Sequence, residues 1–154
     1  MPPVFVPDEI VTASKMNAIG GDWDDWSPTL TNITIGNGTV DARYVQIGKT
    51  VLVRFLFTFG SSGSAVGTSP QVSLPVDCHA SYGSNLVWIA DAVLFDASSV
   101  RRKGVVILNQ TTQRFLVEAL DVSTTVRHIS ITSTVPFAWA VGDVIGFTAT
   151  YEAA

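Results

Sequence analysis

The stretch Trp26–Phe59, W-S-P-T-L-T-N-I-T-I-G-N-G-T-V-D-A-R-Y-V-Q-I-G-K-T-V-L-V-R-F-L-F-T-F, decides the fold class. Asn37-Gly38 reads as the positive-φ pair of a two-residue hairpin turn, with apolar–polar alternation on both sides. Gly48-Lys49 marks a second turn. Beyond it Val51, Val53, Phe55, Phe57 and Phe59 recur at period two, which puts all of them on one face of a long strand. The opposite face reads Thr50, Leu52, Arg54, Leu56, Thr58. A strand covered on one side only should be polar on the other. Leu52 and Leu56 therefore mark a face that something else covers: a second sheet, a loop or another copy of the chain.

Working outward, strand patterns cover 29–35, 39–47, 50–59, 71–74, 86–95, 104–109, 114–120, 127–132 and 144–152, separated by turn residues. Short strands at that spacing indicate an all-β sandwich or barrel, and the expected fold is an antiparallel β-sandwich of jelly-roll type. Leu86–Phe95 is apolar on both faces and reads as a central strand. Gly60–Ser69, G-S-S-G-S-A-V-G-T-S, reads as the most flexible loop, with an exposed tip. Toward the N-terminus, the three prolines of Met1–Pro7 predict an extended arm. Thr12–Ile19 is the one predicted helix, with Thr12 as N-cap, Gly20-Gly21 as its end, and Val11, Met16 and Ile19 as its apolar stripe. The chain thus divides into an arm and helix over 1–26 and a β-domain over 27–154.

Composition narrows the function. Charged residues make up 14% of the 154, hydrophobic ones 47%, and mean hydropathy is +0.35. Typical soluble domains carry about 25% charge. Such a chain spans a membrane or hides surface against copies or partners. The longest apolar run, Leu86–Phe95, carries Asp91 and falls short of the ~20 residues a membrane helix needs, so no membrane span is expected. A net charge of −4 argues against a nucleic-acid partner. The basic cluster Arg101-Arg102-Lys103 reads as a solvated strand start. A single cysteine, Cys78, makes no internal disulfide. The N-terminal residues lack the basic and long apolar regions of a secretory signal, so the expected product is made in the cytoplasm and released later.

Residues that could carry chemistry have plainer readings. Asp77-Cys78-His79 sets possible metal ligands side by side, but neighbours point apart and further His or Cys at workable spacing is lacking; a solvent-facing loop after Pro75 is expected instead. Asp22, Asp24 and Asp25 lack the spacing of a calcium loop. No G-x-S-x-G elbow accompanies His79 or His128. Asp91, Asp96, Glu118 and Asp121 are spread over several elements, with no sign of the facing pair that glycoside hydrolysis needs. No cofactor, metal or enzymatic activity is expected. Among the aromatic residues, Trp26, Trp88 and Trp139 are expected to pack, while Trp23 and Tyr82 are the candidate glycan contacts.

Three segments in order carry a resemblance. The run above combines Trp-x-Pro, G-N-G-T, A-R-Y and G-K-T-V; F-V-P-D-E-I-V-T-A-S-K-M-N-A precedes it, and P-F-A-W-A-V-G-D-V-I-G-F-T-A-T-Y-E closes the chain. Together they resemble small β-domains of minor tail, tail-fibre and head-decoration proteins on the virions of tailed bacteriophages. The match covers both ends of the chain and leaves about 60–127 unmatched. The resemblance implies a structural protein of the virion surface, a homotrimer, acting in the tail or fibre and touching the host. Attachment to other virion proteins or to sister subunits is expected through Phe5, Ile10, Met16 and Ile19, with Leu52 and Leu56 as further oligomer contacts. Capsid decoration through the N-terminal arm is the alternative placement, and a cell-wall glycan hydrolase the second alternative.

Overall fold

The computed structural model describes residues 6, 7, 10, 12, 21–83, 86–121 and 126–154. The predicted helix, with Phe5, Met16 and Ile19, lies outside the described residues, Thr12 apart. The strands are β1 (Asp24–Asp25), β2 (Leu30–Thr34), β3 (Thr39–Ile47), β4 (Thr50–Thr58), β5 (Ala65–Ser73), β6 (Leu86–Phe95), β7 (Arg101–Asn109), β8 (Arg114–Asp121), β9 (Arg127–Ser130) and β10 (Val144–Glu152). A single 3-10 turn, Ala80–Tyr82, is the helical element among the described residues. The fold is all-β and antiparallel, and each strand read from the sequence has a counterpart.

Pairing follows one path, β1-β3-β4-β10-β6-β7-β8-β5-β2, with β9 on the far half of β8. The sheet is a single curled one. Its two ends are β1–β3 and β2, yet β1 and β2 are linked only by 26–29, and β2 and β3 only by 35–38. Four linking residues let the strand ends lie at most about 18 Å apart, so the sheet must bend until its ends nearly meet, leaving a seam between β2 and β3. Trp26, on the first link, lies across that seam, its ring 6.4 Å from both Phe55 on β4 and Phe115 on β8.

The Asn37-Gly38 turn is therefore a seam crossing and not a hairpin, because β2 and β3 do not pair. Gly36, at φ +58°, takes the left-handed position and Gly38 N–H donates to the Ile35 carbonyl, as in a type II′ turn. Gly48-Lys49 does close a true hairpin, with Ile47 opposite Thr50. The stretch read as a flexible loop is also ordered differently. Ala65 and Val66 pair with Thr34 and Ile33 on β2. The preceding Ser61-Ser62 is bound by Asn37: the Asn37 amide Nδ2 donates to Ser61 Oγ (3.0 Å), and Asn37 Oδ1 accepts from Ser62 N–H (2.7 Å).

The interior is filled from alternate positions, as period two requires. Val51, Val53, Phe55 and Phe57 of β4, Phe115 and Val117 of β8, and Ile145, Phe147 and Tyr151 of β10 are buried. Phe147 stacks on Phe55 at 5.2 Å and meets the Phe115 ring edge-on at 5.3 Å, so β8 packs across the interior against β4 and β10. Each such buried aromatic contributes on the order of 2–3 kcal/mol. Trp139 packs flat on Phe59 at 5.0 Å, as expected of it, and its Nε1–H donates to the Thr132 carbonyl.

Candidate functional site

The inner face is packed, so any binding surface lies outside. On β4 the outer residues are Leu52, half-buried, and Leu56, 39% exposed. Among the described residues no second sheet covers them. Gly146 of β10 stands between Leu56 of β4 and Val93 of β6 in register, and a Cβ there would meet the Leu56 side chain at 2.8 Å. This bare position lies in a groove of about 690 Å³, lined by Leu56, Val93, Val144 and Thr148, with Arg54 and Asp41 among its walls. Arg54 Nη2 holds Asp41 Oδ2 at 2.8 Å.

A second depression, of about 490 Å³, lies alongside and shares Ala90 and Asp91 with the first. Trp88, Asp91, Lys103, Val105, Leu120 and His128 line it. Trp88 belongs to β6 and His128 to β9, with β7 and β8 between, so their rings meet above those two strands, 4.6 Å apart. That roof accounts for Val105 and Ile107, which point outward on β7 and are nevertheless buried. Lys103 Nζ pairs with Asp91 Oδ2 at 3.0 Å. His128 Nδ1 is buried without a hydrogen-bond partner among the described residues.

Trp88 corrects the sequence reading. It was expected to pack in a central strand, and it is 64% exposed. The cause is a β-bulge between Trp88 and Ala90, where the β6–β7 register slips by one residue. Strict alternation would send Trp88 and Asp91, three apart, to opposite faces; the bulge turns both outward. That odd spacing between an aromatic and a charged residue was the available signal.

The residues singled out from the sequence fall elsewhere. Ile10 is 86% exposed, while Phe5, Met16 and Ile19 lie outside the described residues. Trp23 is exposed beside β1, and its carbonyl accepts from Arg43 Nη2 at 2.9 Å. Tyr82 was expected to be exposed, but it is half-buried and its hydroxyl accepts the Glu152 N–H at 2.9 Å. Neither lines the two grooves. Of the expected attachment and glycan contacts among the described residues, Leu56 alone does, while Asp91 and His128, weighed above for catalysis, line the second depression.

The other polar residues make local contacts. Cys78 is buried and not in a solvent-facing loop: its N–H donates to Gln113 Oε1 at 2.8 Å, and burial pushes its thiol pKa up. His79 caps the 3-10 turn through Nδ1. Asp25 pairs with Arg43 and Asp121 with Arg127. Asp96 Oδ1 accepts from Ser98 in the β6–β7 turn. Arg101, Arg102 and Lys103 open β7, exposed, with Arg101 over the Phe95 ring. Among the described residues no cluster of three His, Cys, Asp or Glu is placed to hold a metal, and no helix is long and apolar enough to cross a membrane. No protein-family model, curated protein or solved structure matches the chain.

Proposed function

We propose that the chain is a structural component of the surface of a tailed-phage particle, placed in the tail or its fibres, assembled as a homotrimer and in contact with the host. The observation that carries this reading is the apolar groove at Gly146, where Leu56 and Val93 stand 39% and 49% exposed on the outer face of the sheet's central strands. Apolar surface of that kind, in a chain with so little charge, suits contact with protein. The resemblance of both chain ends to virion β-domains supplies the identity of the assembly. In the same reading the curled sheet is of jelly-roll type, its β4–β10 and β8–β5 portions forming two layers across the aromatic interior.

Immunogold labelling of intact particles tests the placement. Gold at the tail tip or fibres is the expected result. Gold spread over the head moves the protein to capsid decoration, and unlabelled particles overturn the phage assignment.

A further inference from the structure

Trp88 is the most exposed tryptophan among the described residues, and it is also held in place. A bulge aims it outward, the His128 ring backs it at 4.6 Å, and the Asp91–Lys103 pair stands beside it in the same depression. Bulges that re-aim one side chain concentrate at binding sites. We propose that this depression binds an uncharged carbohydrate, one pyranose ring laying its C–H face on the Trp88 indole while Asp91 and Lys103 hydrogen-bond its hydroxyls.

The chemistry fits that ligand class better than its rivals. A sugar ring has an apolar face and a rim of hydroxyls, each both donor and acceptor. The indole offers a flat apolar surface, the carboxylate accepts, and the ammonium donates. Lys103, the one cation among the described residues lining the depression, is paired with Asp91 at 3.0 Å, so its charge is already offset and does not single out a phosphate or a uronate. At about 490 Å³ the depression is within the ordinary range for small ligands. Its continuity with the neighbouring groove through Ala90 and Asp91 gives room for an oligosaccharide. The site rests on the host-contact reading above and replaces Trp23 and Tyr82 as the place where a glycan is held.

The test is NMR of the full chain labelled with ¹⁵N at the tryptophan indoles, titrated with chitotetraose, maltotetraose, a mannan oligosaccharide and a bacterial rhamnan. The expected result is a saturable shift of the Trp88 indole signal with at least one of them, while Trp26 and Trp139 stay in place. Trp88→Phe, which keeps a ring over Val105, should weaken that binding about tenfold, and Asp91→Ala should weaken it too. A shift at Trp23 alone, or no shift at Trp88 with any probe, overturns the site. So does a Trp88 signal that moves only with protein concentration, which would make this face a contact between copies. Failure here leaves the immunogold result standing; binding by a protein absent from particles would remove the phage assignment and keep the sugar site.

Discussion

Removing the Asp143 carboxylate would leave two backbone N–H groups without an acceptor at the base of β10. Asp143 is 1% exposed, and its oxygens accept from Ala97 N–H at 2.9 Å and from Ala140 N–H at 2.6 Å. Partly buried donors stripped of a charged acceptor cost about 1–3 kcal/mol. Asp143→Ala should lower the unfolding free energy by that much in urea titration, and a loss below about 0.5 kcal/mol would show that water replaces the carboxylate. Tyr151 gives a pH dependence. Its hydroxyl donates to the Val76 carbonyl at 2.6 Å, and burial pushes its pKa well above the ordinary phenol value of 10.0. The folded state therefore holds this proton more tightly than the unfolded chain. Its contribution to stability is complete below pH 10.0 and is lost as pH rises from there toward the folded-state value. Cys78, raised from 9.0, adds to the decline in the same direction from a lower pH. Guanidinium midpoints should fall steadily above pH 10.0 in the wild type and less steeply in Tyr151→Phe. Equal slopes would place the alkaline sensitivity elsewhere.

At the scale of elements, the seam turn and the hairpin turn offer a controlled comparison. Gly36 and Gly48 have nearly the same φ, +58° and +59°. A Cβ at Gly36 would collide with the backbone of Ser62 and Gly63, whereas one at Gly48 meets nothing within 4 Å. Gly48→Ala should cost about 1 kcal/mol for backbone conformation alone. Gly36→Ala should cost at least about 2 kcal/mol more, since the two loops that close the seam must part. Equal midpoints for the two variants would mean that the seam is not tightly closed. The same two turns show what the sequence made legible. β3 and β4 pair locally, so alternation and Gly48-Lys49 were enough to place them residue by residue. β2 and β3 read as an equally good hairpin, but β2 pairs with β5 instead, a choice made by residues some thirty to forty positions away. Periodicity identifies strands and is silent on distant partners. Trp88 escaped for a related reason: the bulge that turns it outward exists only in the register between β6 and β7. Leu56, on a regular strand, was found because nothing interrupts the alternation around it.

For the whole molecule, the outer groove sets the expectation for assembly. Wild-type protein at micromolar concentration should sediment as a species heavier than the 16.4 kDa chain. Leu56→Glu, 39% exposed and facing outward, should shift it to monomer while leaving the thermal midpoint of the monomer's own fold within about 2 °C. A variant that still assembles would move the contact away from this groove. The position of β10 has a consequence of another kind. It lies between β4 and β6 in the middle of the sheet, yet every other strand precedes it in the chain. A ribosome must therefore finish all the remaining strands before the central one emerges. Until then β4 and β6 hold open edges toward an empty slot, and the interior ring of Phe55 and Phe115 lacks Phe147. Such edges invite pairing with other nascent chains. The sheet closes only once synthesis has passed Glu152, and a product cut short before Val144 should aggregate or be degraded.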